Sequence, residues 1–137
     1  MKLFYRLDGR TPVALTTLDE LAQAAASLGD MESRTVRRTK IGHVHISTVF
    51  TVIDLGMGLG PPLLFESMIF GGKFDGEQMR YGAFEEAEWG HFALICKVWM
   101  GEEWPQEDPK KHYPTDEVLP KGVPKGRSAW DWLAEDD

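Results

Sequence analysis

His43 and His45 flank Val44 in a stretch that alternates polar and apolar residues, so a strand there presents both imidazoles on one face. Two imidazoles at that spacing can chelate a divalent metal or serve as an acid–base pair in hydrolysis. Glu66 is the third candidate, as the one ionisable residue in the apolar run Leu63-Leu64-Phe65-Glu66-Ser67-Met68-Ile69-Phe70. A lone carboxylate buried in such a run costs several kcal/mol. Paired across a hairpin with His43 or His45, it forms a carboxylate–imidazole contact in which each charge favours the other. His91 can join from the following helix, and Arg37 and Arg38 can draw an anion to the same place. The expected hydrogen-bond partners of Glu66 are His45, His91, Tyr81 or a backbone amide.

Each group also has a plainer reading. A half-exposed strand tolerates two histidines, a basic run such as Arg34, Arg37, Arg38 and Lys40 is ordinarily a solvated face, and Glu66 can simply satisfy an amide or a tyrosine hydroxyl. The unit His45-Ile46-Ser47 resembles half of the paired His-x-Ser/Thr device of certain phosphodiesterases, but the chain holds no second unit. Gly56-Met57-Gly58-Leu59-Gly60 lacks the Gly-Lys-Ser/Thr ending of a phosphate loop and leads into a strand, not a helix. Cys96 is the one cysteine, so neither an intrachain disulfide nor a cysteine metal cage can form. No cofactor or metal is expected from these residues, and the question of enzymatic activity stays open.

The elements that must position these groups follow from pattern. Thr17 and Glu20 stand in capping-box spacing before Leu18, Leu21, Ala24, Ala25 and Leu28, and Gly29 ends that helix. Residues 34–54 are strand-rich, with Val44, Ile46, Thr48, Phe50 and Val52 on one face. A Gly/Pro loop over 55–62 leads to the strand bearing Glu66, and the two strands are expected to pair antiparallel. Phe84, Ala87, Phe92, Ile95 and Trp99 recur at helical steps through about 84–99, with Gly90 in mid-helix where close packing against a strand would explain it. The predicted fold is α+β: a small antiparallel sheet with two packed helices over 1–100, then a Pro-rich arm over 101–137.

Charge is uneven. The chain of 137 residues carries a net charge of −7, and residues 101–137, with ten acids and five bases, supply −5 of it. That balance argues against direct nucleic-acid binding, which needs clustered cations. The arm also holds five of the eight prolines together with Trp104, Trp130 and Trp132. Those tryptophans, with Glu102 and Glu103, are the candidate partner-binding residues. No window has the ~18 apolar residues of a transmembrane helix, and no signal-peptide core is present. A cytoplasmic protein without membrane association is expected.

The stretches Ile46-Ser47-Thr48-Val49-Phe50-Thr51-Val52-Ile53-Asp54 and Gly60-Pro61-Pro62-Leu63-Leu64-Phe65-Glu66-Ser67-Met68-Ile69-Phe70-Gly71-Gly72 carry a resemblance, together with Arg80-Tyr81, Glu85-Glu86-Ala87 and Gly90-His91. This pattern is similar to a recurring family of small proteins encoded by bacteriophages and prophages. It covers residues 34–98, with Val52-Ile53 standing where the pattern has glycine-leucine and Ser67 where it has threonine. The resemblance implies no particular reaction. It implies an accessory protein that binds and inhibits a host factor, in the manner of anti-defence or anti-CRISPR inhibitors. The expected partner is a host protein with a basic nucleic-acid-binding surface, which an acidic arm can occupy. The alternative is a protein that binds a small molecule or nucleotide signal, or hydrolyses one, through the His/Glu cluster.

Overall fold

The computed structural model describes residues 2–104 and 113–119. Two strands, β1 (Tyr5–Asp8) and β2 (Thr11–Ala14), form a hairpin whose turn uses Gly9 at φ 63. Helix α1 (Leu18–Ser27) starts as its capping box predicts. The Thr17 hydroxyl accepts from the Glu20 amide at 3.2 Å, and the Glu20 carboxylate accepts from the Thr16 amide at 3.2 Å. A single turn, α2 (Met31–Arg34), follows it.

The centre is an antiparallel sheet of β3 (Thr35–Ile41), β4 (Val44–Phe50), β5 (Phe65–Phe70), β6 (Gln78–Tyr81) and β7 (Thr115–Val118), ordered β6-β5-β4-β3-β7. The expected hairpin across the Gly/Pro loop is β4 with β5, registered Val49 to Glu66 and Phe50 to Phe65. Helix α3 (Phe84–Gly101) lies on one face of the sheet. The inward residues Val44, Ile46 and Phe50 of β4 and Phe65 and Ile69 of β5 are buried beneath it.

Two apolar clusters fill the interior. One joins Phe50, Phe65, Phe84 and Ala87 to Leu15 and Ala24, which ties α1 to the sheet. The other joins Ile41, Val44, Ile46 and Ile69 to Leu94, Ile95 and Val98 of α3. Mid-helix Gly90 has the close approach its position suggested. A Cβ there would lie 2.1 Å from Tyr81 Cε1, so the tyrosine ring occupies the space a side chain would need.

Three expectations change. Residues 115–118 are not part of an extended arm but the edge strand of the sheet, because Asp116 finds a buried partner on β3. His43 sits in the β3–β4 turn beside Gly42 (φ 57), not on β4, so it does not share a strand face with His45. Val52 lies past the end of β4 with φ 66, a conformation rare for a β-branched residue.

Candidate functional site

The most polar place in the interior lies between α3 and the sheet. Arg37 and Asp116 meet there with side chains only 2% and 3% exposed. Arg37 Nε donates to both oxygens of Asp116 at 3.1 Å, and Nη2 lies 3.0 Å from Oδ2. Thr39 donates its hydroxyl to Asp116 Oδ1 at 2.6 Å. His91, fully buried on α3, spans two strands, with Nε2 at 2.8 Å from Thr39 Oγ1 and Nδ1 at 2.6 Å from Thr48 Oγ1. Thr48 in turn is hydrogen-bonded to Ser67.

The direction of this chain follows from its carboxylate end. Asp116 only accepts, so the Thr39 proton points to it and the Thr39 oxygen must accept from His91. His91 therefore carries its proton on Nε2, its Nδ1 accepts from Thr48, and Thr48 accepts from Ser67. The Tyr81 hydroxyl lies buried beyond Ser67 without a well-directed hydrogen bond. Burial raises its pKa, partly offset by Ser67.

Burial, and secondly the charge of Arg37, holds the His91 pKa well below its ordinary 6.5. The sign for stability follows. The unfolded chain takes up a proton near 6.5 and the folded chain does not, so this contribution is intact above that pH and is lost as pH falls toward the folded value. Melting temperatures should thus decline between about pH 7.5 and about pH 5, and His91→Gln should flatten the decline. Equal slopes in the two proteins would refute it. The carboxyl of Asp54 is held below its ordinary 3.8 chiefly by the Leu63 amide, so its titration falls outside that window.

The other predicted groups do not gather. His45 is on the opposite face of the sheet, where its Nδ1 is 2.9 Å from Glu117, with Arg38 Nε 3.7 Å from the same oxygen. Glu66 shares that face but accepts from Arg80 Nε at 3.0 Å on neighbouring β6, not from His45, His91, Tyr81 or an amide. The physical reason is parity: Glu66 alternates with the buried Phe65 and Ser67, so it points away from α3. An exposed pair of this kind contributes about 0–1 kcal/mol. His43 is 4.0 Å from Glu102, which also accepts from the Lys73 amide at 2.9 Å. The Trp104 indole donates to the Trp99 carbonyl at 3.1 Å, and Glu103 is exposed. Trp130 and Trp132 lie outside the described residues. Among the described residues, no three His, Cys, Asp or Glu side chains come together to hold a metal.

Sequence reasoning missed Thr39, Thr48, Ser67 and Asp116. Thr48 and Ser67 did leave a signal, since each occupies an inward position in an otherwise apolar strand face.

A second ordered feature is the loop over 55–63. Asp54 Oδ1 accepts from the Gly56 and Leu63 amides at 2.8 and 3.0 Å, while Oδ2 accepts from Gly58 at 3.0 Å. The loop so fixed leaves Met57 60% and Leu59 92% exposed. Elsewhere, a cleft of about 310 Å³ between the β1–β2 hairpin, α1 and the end of β4 is lined by Tyr5, Arg6, Gln23 and Phe50 among others. His43, His45, Glu66 and His91 are not among the residues that line this cleft.

The fold defines an α+β protein with one long helix on a five-stranded antiparallel sheet. Set against protein-family models, curated proteins and solved structures, the chain gives no significant match. No helix among the described residues is long and apolar enough to cross a membrane.

Proposed function

We propose that the chain is a phage-type accessory protein that works by binding and inhibiting a host protein, without catalysis of its own. The observation that carries this reading is the Asp54-held loop. Three backbone amides anchored on one carboxylate hold Met57 and Leu59 out in water, and a loop ordered before contact loses less entropy on binding. Two features support the resemblance to phage-encoded proteins. Val52 adopts φ 66 where the family pattern carries glycine, and Ser67 supplies the hydroxyl that threonine supplies in the pattern. Pattern residues Thr48, Ser67, Tyr81, Gly90 and His91 also meet in or beside one buried network.

The test is capture of a host partner by the full chain, by Leu59→Asp and by a chain ending at residue 119. Truncation at 100 is not informative, since it removes β7 from the sheet. Leu59→Asp should change stability by less than about 0.5 kcal/mol and weaken partner binding by about thirtyfold, as expected for a hot-spot side chain. If both altered chains bind the partner like the parent, neither the loop nor the acidic tail is the contact and the reading fails.

A further inference from the structure

Strand β7 is held unlike the other strands of its sheet. It has four residues, and none of residues 113–119 belongs to either apolar cluster. Its register on β3 is broken by a bulge between Arg38 and Thr39. Tyr113, ahead of the strand, rests on the Trp99 ring at 5.3 Å, but the strand's own side chains hold it by polar contacts: Asp116 reaches inward to Arg37 and Thr39, and Glu117 reaches outward to Arg38 and His45. The inward contact is incomplete. Nη2 of Arg37 is buried and close to Asp116, yet it makes no well-directed hydrogen bond. A carboxylate seated squarely on Nε and Nη2 would engage the guanidinium fork better than the resident aspartate does.

We infer that the outer edge of β3 is a strand-addition site that reads a carboxylate, occupied here by the chain's own β7 and fitted to an extended acidic segment of a partner protein. The edge supplies main-chain hydrogen bonds to any extended peptide, and pockets for alternate side chains set the choice. Arg37 makes that choice strict. A neutral residue at the register of Asp116 would leave a buried guanidinium without a counter-charge. Arg38 and His45 favour a second acid at the next position, on the opposite face. The preferred ligand is therefore a strand with two consecutive acids, the first inward and the second outward. Being part of the same chain gives the resident strand a high effective concentration at the edge. A partner strand must overcome that, and the imperfect Arg37 contact lowers the barrier. This inference does not depend on the loop contact proposed above.

The test uses full-length chain carrying Asp116→Asn and a fluorescein-labelled synthetic peptide of sequence Tyr-Pro-Thr-Asp-Glu-Val-Leu, the stretch 113–119. The peptide should bind Asp116→Asn and raise its melting temperature, bind the parent at least about tenfold more weakly because its edge is filled, and lose binding when its Asp is replaced by Asn. If Asp116→Asn does not fold alone, the same titration reads as refolding, with circular dichroism returning for the Asp peptide and not for the Asn peptide. The absence of binding or refolding, or equal behaviour of the two peptides, overturns the proposal. Peptide-free dimers of the parent in sedimentation, dispersed by the peptide, would give the edge to a second copy and overturn the partner assignment.

Discussion

Asp116→Ala should lower the melting temperature by about 10–15 °C, taking the usual conversion for a domain between 100 and 150 residues. The substitution removes the counter-charge of a guanidinium that is only 2% exposed, and breaking a buried pair from one side costs about 3–5 kcal/mol. It also strips Thr39 of its acceptor, so the direction of the chain through His91 to Thr48 is no longer fixed from the β7 end. The cost arises from the orphaned charge and not from any great net strength of the pair. Arg37→Met with Asp116→Leu should therefore recover much of the loss, because two apolar residues leave no buried charge unpaired and only the Thr39 hydroxyl still lacks its acceptor. Differential scanning calorimetry on the parent, Asp116→Ala, Arg37→Met, Asp116→Leu and the Arg37→Met/Asp116→Leu double variant separates these effects. A loss near 1 kcal/mol for Asp116→Ala would mean the pair behaves like an exposed one.

The same pair shows where sequence reasoning reaches its limit. Local rules found α1 from its capping box, the β4–β5 hairpin from alternation and a Gly/Pro loop, and α3 from helical spacing, because each depends on neighbours within a few residues. Arg37 looked like part of a solvated strand face. Its inward direction follows from sharing strand parity with the buried Thr39 and Ile41, and its partner lies 79 residues away in a proline-rich stretch with no apolar pattern. His91 was noticed, but as a possible member of a cluster on β4 and β5. Its true partners, Thr39 and Thr48, are hydroxyls on the inward face, the face that alternation alone assigns to apolar core. Glu66 shows the converse. Its apolar neighbours suggested burial, whereas one step of strand parity places it opposite the helix and beside Arg80.

Gly90→Ala offers a result whose sign depends on a single neighbour. In an ordinary helix interior the change favours the folded state by about 1 kcal/mol, since alanine is the better helix former. At this position the new methyl would lie 2.1 Å from Tyr81 Cε1 and Oη and 2.2 Å from Cζ, inside any real contact distance. The ring cannot simply swing away. Tyr81 is buried, its residue pairs with Phe65 across β5 and β6, and its hydroxyl lies beside Ser67 at the end of the buried network. Helix and sheet must separate locally, at an overpacking cost of about 1–3 kcal/mol or more, which outweighs the helix gain. Gly90→Ala should thus destabilise the parent. In a Tyr81→Val background the obstructing ring atoms are gone, and the same substitution should stabilise by up to about 1 kcal/mol. Chemical denaturation of the four proteins closes the double-mutant cycle, with an interaction energy of about 2–3 kcal/mol expected for residues in direct contact. Additive effects, with Gly90→Ala shifting both backgrounds alike, would show that the ring does not rest on Gly90 and that helix propensity alone decides the position.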